Sequence, residues 1–239
     1  MPGLQPLRKD LLQAALGYYN GFIAQRKNDP KLQRELAETY YRVGLISGEL
    51  GDHKQAGQSL REALDIQSRL VKQGGADVDD VNFALSNTLN AIGDINLKRG
   101  SPDSTLDPFR QALDIRQQLV QRRPENIAWA RKLANSYNNV GIALARLGKS
   151  IEAEKEFGEA NRRRALLVAQ RPNEPQLVRD LAQGYFNIAR FKQQQGDYDA
   201  AAASYQQAIE TYQKLVALDE KPIEYQRELA TSLRVAGDL

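Results

Sequence analysis

Residues 34–56 read RELAETYYRVGLISGELGDHKQA, and residues 131–153 read RKLANSYNNVGIALARLGKSIEA. In both, a tyrosine (Tyr40, Tyr137) stands four residues before a glycine (Gly44, Gly141), a valine (Val43, Val140) one before it, and a second glycine (Gly51, Gly148) seven after it. Spacings of this kind place the apolar residues on one face of a helix. The second glycine reads as the stop, because helices commonly end on a residue in the left-handed conformation, which glycine adopts with least strain.

Working outward, the arrangement occurs four times, with Gly93 and Gly100, and Ala189 and Gly196, completing the set. The turn glycines Gly51, Gly100, Gly148 and Gly196 are separated by 49, 48 and 48 residues. After each comes a small residue (Ala56, Thr105, Ala153, Ala201), a large one four later (Leu60, Phe109, Phe157, Tyr205) and alanine three further on (Ala63, Ala112, Ala160, Ala208). These spacings define the buried stripe of a second helix, antiparallel to the first, with glycine or alanine where the backbones approach. The stretches 64–72, 113–122, 165–171 and 209–217 continue the second helix up to breaks at Gly74-Gly75, Pro124, Pro172 to Pro175 and Pro222. The helices are therefore roughly 20 residues long, or about 30 Å. Asp29-Pro30 reads as a cap followed by a first helical residue.

Four copies of this pattern resemble the tetratricopeptide repeat family. The resemblance implies an all-α fold, a right-handed superhelical solenoid of antiparallel helix pairs. The family's usual unit is about 34 residues, whereas some 14 more follow the last patterned alanine here. This long-period variant resembles the repeat regions downstream of the kinase domain in some large bacterial serine/threonine protein kinases, and no kinase motif is present. The organisation expected is a single array over 1–239. It opens with an orphan second helix at 7–28, continues through repeats at 31–75, 78–123, 126–171 and 175–220, and closes with the truncated first helix of a fifth repeat at 223–239. Such a chain reads as a segment of a longer protein. Each solenoid unit buries its face only against its neighbours, so Leu11, Leu12, Leu229 and Leu233 leave two outcomes open: end-to-end packing between copies, or fraying of the terminal helices.

Hydrophobic residues at 41% suffice for a continuous core, and 33 basic and 30 acidic residues are mixed along the chain for a net charge of +3. No basic block tracks a phosphate backbone, so nucleic acid is not an expected partner. The absence of cysteine removes disulfide frameworks, thiolate metal sites and cysteine nucleophiles. The opening Met1 to Pro6 is too short and polar for a signal peptide, and no run approaches the ~18 apolar residues of a membrane span. No membrane partner is expected, and the default location is cytoplasmic.

No catalytic residue, metal ligand or cofactor is expected. The run from Ala143 to Gly148-Lys149-Ser150 fits a relaxed phosphate-binding loop, but that loop needs a preceding strand and free N–H groups, and here the run lies inside a repeat helix. His53 is the only histidine, in a turn that every repeat carries, which reads as a solvated position. Asp79-Asp80 and Glu152-Glu154 fall where helices begin and complement the helix dipole. Trp129 reads as core, with a recognition aromatic as the alternative. Pro108 requires either a kink or a second helix that starts late, with Asp107 as its cap.

The resemblance implies that a partner is held on the concave face lined by the first helices. The positions it assigns there are Glu38, Tyr41, Arg42 and Leu45; Asn87, Asn90, Ala91 and Asp94; Asn135, Asn138, Asn139 and Ile142; and Gln183, Phe186, Asn187 and Arg190. From these, Tyr41, Asn87, Asn90, Asp94, Asn135, Asn138, Asn139, Phe186, Asn187 and Arg190 form the candidate peptide site. Asparagine is a weak helix former, and its amide both donates to and accepts from an extended backbone; a ladder of them on one face is either such a site or a solvated surface. The basic clamp by which some family members hold a C-terminal carboxylate is lacking. The function expected is a non-catalytic protein-protein interaction module that binds a peptide or surface. The alternative is a regulatory or spacer segment of a larger signalling protein such as a serine/threonine kinase.

Overall fold

The computed structural model describes residues 4–26, 32–218 and 223–238. The cap expected of Asp29-Pro30 and the break expected at Pro222 lie outside the described residues. Among those described there are ten α-helices and no strand: α1 (Leu4–Arg26), α2 (Gln33–Glu49), α3 (His53–Gln73), α4 (Val78–Lys98), α5 (Leu106–Arg122), α6 (Ile127–Arg146), α7 (Ser150–Gln170), α8 (Pro175–Gln194), α9 (Tyr198–Leu218) and α10 (Ile223–Gly237). The chain divides into two compact units, Met1–Leu119 and Val120–Leu239.

The turns follow from the glycines. After α6, Gly148 takes φ +72°, the Lys149 N–H reaches back to the Leu144 carbonyl at 2.9 Å, and the Gly148 N–H donates to Ala145 at 3.1 Å. This is the six-to-one closure that satisfies the last helical carbonyls. The same long bond recurs from Asp52 to Ser47 (2.9 Å), Ser101 to Asn96 (3.0 Å) and Asp197 to Lys192 (3.0 Å). On the far side of the turn, Asp52 caps α3 by accepting from the Gln55 N–H at 2.9 Å, and Asp197 accepts from Ala200 at 3.3 Å. Asn126 caps α6 through the Trp129 N–H at 3.1 Å.

Within each unit the core is built by small residues facing large ones. A Cβ placed on Gly44 would lie 2.6 Å from Leu60 Cγ, and one on Gly141 would lie 2.9 Å from the Phe157 ring. Gly93 sits tighter still against the ring of Phe109, which is buried. In the first unit, Leu36 and Ala37 of α2 close on Ile66 of α3, with Ile23 of α1 at their edge. Leu85 and Leu89 of α4 pack on Ala112 of α5. In the second unit, Val178 and Ala182 of α8 pack on Ala208, Tyr212 and Leu215 of α9, flanked by Tyr225 and Leu229 of α10.

Pro108 is accommodated by a late start. A 3₁₀ turn at Pro102–Ser104 precedes α5, which has 17 residues where α3, α7 and α9 have 21. Asp107 is not its cap, because the helix already begins at Leu106 and Asp107 lies in its first turn. Trp129 is core, 4% exposed, with the Arg123 guanidinium 5.3 Å from its ring centroid. His53 is half-buried and its Nδ1 has no hydrogen-bond partner, so the solvated reading is corrected: the α3 start holds this ring against protein. Asp79, Asp80 and Glu152 lie in first turns as expected, whereas Glu154 pairs instead with Lys192 at 2.6 Å.

Candidate binding face

In the first unit, α2 and α4 border a groove of about 530 Å³ lined by Arg34, Glu35, Glu38, Tyr41, Gln67, Asp80 and Asn87, with Ala37, Leu70, Val81 and Ala84 as its apolar part. Tyr41 is half-buried and packs against the cluster of Ala56, Leu60, Ala91 and Ile95. Burial raises the pKa of its hydroxyl, against the pull of Arg116. Ala91, read from the sequence as exposed, is 5% exposed, because it closes the joint between successive repeats. Arg42 is also engaged, donating to Glu38 and, at 2.9 Å, to the Tyr19 hydroxyl of α1. Asn87 accepts from Arg116 at 2.8 Å, and the buried Asn90 Oδ1 has no partner. Asp94 is open to solvent on one side, yet the protein around its carboxyl withdraws water and pushes its pKa up to about 6, over the opposing pulls of Lys98 and Arg116.

In the second unit the asparagines bond to one another. Asn187 donates to Asn138 Oδ1 at 3.0 Å, and Asn138 in turn donates to Asn139 at 3.5 Å. Asn138 is 7% exposed, which corrects its reading as a surface residue: its amide is spent on the neighbouring repeat. Asn135 accepts from Arg164 at 3.0 Å. Phe186 packs against α9, its ring centroid 5.5 Å from that of Tyr205, and half of it stays open. A hollow of about 360 Å³ is lined by Gln183, Phe186, Asn187, Tyr212 and residues of α10, and one of about 250 Å³ by Ile142, Asn187, Arg190 and Phe191 among others. Arg190 is exposed.

Two sets of residues escaped the sequence reading. Gln67, Arg116, Arg164 and Tyr212 occupy one recurrent place on the second helices, and all are buried although three are polar or charged. Burial lowers the pKa of both Arg116 and Arg164 to about 10. The second set joins repeats by ion pairs 49 residues apart: Arg131 to Asp180, with Nη2 to Oδ1 at 3.1 Å, and Arg179 to Glu228, with Nε to both oxygens at 3.1 and 3.2 Å. The regular intervals were the available signal for both.

The fold and its repeated joints define an all-α, tetratricopeptide-like helical solenoid. The sequence profile described as tetratricopeptide repeat matches residues 37–69 and 182–215, the first and fourth pairs. No curated protein sequence matches the chain. Among solved structures, RapI in its apo form superposes with a TM-score of 0.67 at 15% identity, covering 95% of this chain and 55% of that one. BtubC (BKLC) from P. vanneervenii gives 0.58 at 17%, covering 96% and 88%, and MamA gives 0.52 at 14%, covering 85% and 90%. At such identities the likeness speaks for the fold. Among the described residues no helix is long and apolar enough to cross a membrane.

Proposed function

We propose that the chain is a non-catalytic interaction module that takes up a peptide or surface of a partner protein on the face lined by its first helices. The observation that carries this reading is the groove of about 530 Å³ between α2 and α4, where apolar floor and convergent polar groups lie side by side. The hollows beside Phe186 and Arg190 offer the same mixture in the second unit. Of the ten residues read as the site, Tyr41, Asn87, Phe186, Asn187 and Arg190 line these openings. Asn138, buried and bonded to Asn187, holds the frame on which they stand.

The test is affinity capture from the source cells, with the wild type and a variant carrying Glu38→Arg in the first groove and Arg190→Glu in the second unit, followed by titration of each retained protein. Both substituted residues are exposed, so circular dichroism should show both proteins folded. A partner bound saturably by the wild type and lost by the variant supports the groove. Equal binding by both, or none by either, removes it and leaves the array as a spacer or regulatory segment of a larger signalling protein. End-to-end packing of copies belongs to the same proposal, resting on Leu11 at 64% and Leu233 at 50% exposure.

A further inference from the structure

One recurrent place on the second helices is filled differently in the first repeat. Gln67, Arg116, Arg164 and Tyr212 are separated by 49, 48 and 48 residues, and are 4%, 1%, 5% and 3% exposed. Their counterparts on the first helices, Glu38, Asn87, Asn135 and Gln183, recur at the same intervals. In the second and third repeats the pairing is arginine with asparagine, joined at 2.8 and 3.0 Å. In the first it is glutamine with glutamate: the buried cation is gone and an anion stands where the neutral amide was.

Two consequences of that exchange are visible. Gln67 lines the groove of about 530 Å³, and its buried Oε1 accepts no hydrogen bond. The groove carries three carboxylates, Glu35, Glu38 and Asp80, against the single lining cation Arg34; outside the lining Arg34 is tied to Asp77 and one oxygen of Glu38 accepts from Arg42, which leaves the surplus negative. A buried acceptor without a donor, beside a surplus of negative charge, asks for a cationic group with several N–H donors. A guanidinium supplies five in a planar fork and tolerates partial burial better than an ammonium, being less strongly hydrated.

We propose that this groove receives an arginine side chain of the bound partner segment, its guanidinium donating to Gln67 Oε1 and pairing with Glu38. It takes the role that Arg116 and Arg164 fill from within in the next two repeats. This rests on the reading of the groove as a protein-binding site and assigns that site its chemistry.

The full chain, labelled with nitrogen-15, is titrated with three blocked pentapeptides of alanine whose central residue is arginine, citrulline or glutamate. The arginine peptide shifts the Gln67 side-chain amide saturably, the citrulline peptide binds about tenfold more weakly because its urea group lacks the charge, and the glutamate peptide does not bind. Gln67→Arg, which fills the place from within, abolishes binding of the arginine peptide, and Glu38→Gln at the exposed rim weakens it. Equal binding of arginine and citrulline peptides, no saturable shift, or undiminished binding by folded Gln67→Arg overturns the proposal. Selection from a random peptide library separates its failure from that of the groove reading. Selected peptides that crosslink to α2 and α4 but lack arginine overturn the arginine site alone; a library that yields no binder overturns both.

Discussion

Asn187 of α8 donates its side-chain amide to the side-chain oxygen of Asn138 on α6, 3.0 Å away, so that the residue in one first helix that resembles a ligand group is the fastening of the next. Because Asn138 is buried, the bond is made where water does not compete. Asn138→Ala therefore lowers stability in urea unfolding by about 1–2 kcal/mol, leaving the Asn187 amide without its acceptor. In a double-mutant cycle with Asn187→Ala, the two losses fall short of additivity by roughly 0.5–1 kcal/mol. Additive losses would remove the bond from the account of the joint.

Substituting alanine for glycine has opposite effects at two helical sites. Gly93→Ala drives a methyl into the buried Phe109 ring and costs about 1–3 kcal/mol. A methyl added at Gly158 of α7 would meet nothing within 4 Å, so Gly158→Ala gains about 0.5–1 kcal/mol from helix propensity. Thermal unfolding of the two variants should shift in opposite directions.

The ion pairs differ by burial. Arg131→Ala removes the ion-pair partner of Asp180, whose side chain is 8% exposed, and leaves it the Gln176 amide at 3.0 Å and the charge of Arg164 nearby. The loss should be about 2–3 kcal/mol, the lower end for a buried pair because Arg131 itself is partly open. Arg42→Ala, whose partner Glu38 is exposed, should cost less than ~1 kcal/mol. Equal losses in denaturant unfolding would contradict this ordering.

Asp94 gives the fold a pH dependence of definite sign. Its folded pKa of about 6 lies above the ordinary 3.8, so the folded chain binds the proton more tightly than the unfolded one. The stability this contributes is fully present below pH 3.8 and is lost as pH rises through 6. Asp94→Asn should therefore flatten the melting temperature between those values relative to wild type, and carbon-13 detection should titrate the wild-type carboxyl near pH 6. A midpoint close to the ordinary 3.8 would place the carboxyl in open solvent.

Helix identity and turn position were legible in the sequence because both rest on local chemistry: the interval of seven from Gly44, Gly93 and Gly141 to the turn glycine leaves one place for the chain to reverse. The face each first helix presents was less legible. Counting from the small residue treats that face as uniform, but successive first helices lean on one another. Ala91 and Asn138 are thereby buried, and Arg42 is committed to Glu38 and Tyr19. Gln67, Arg116, Arg164 and Tyr212 were hidden for another reason. They fall four residues after the last patterned alanine, in the extension that lengthens the period, where the family pattern assigns no role.

The ion pair between Arg179 and Glu228 also determines where this chain tolerates being cut and rejoined. Excising residues 132–179, a whole period of 48, fuses Arg131 directly to Asp180 and delivers an arginine to the place from which Arg179 reached Glu228. The spliced helix keeps the Asn126 cap at its head and the Gly196 turn at its tail. Removing one residue fewer turns everything downstream by about 100° around the helix axis and points the apolar stripe away from its neighbour. Length in this architecture is therefore quantised, and a gene-level deletion or duplication keeps the helical register only when it spans a whole period.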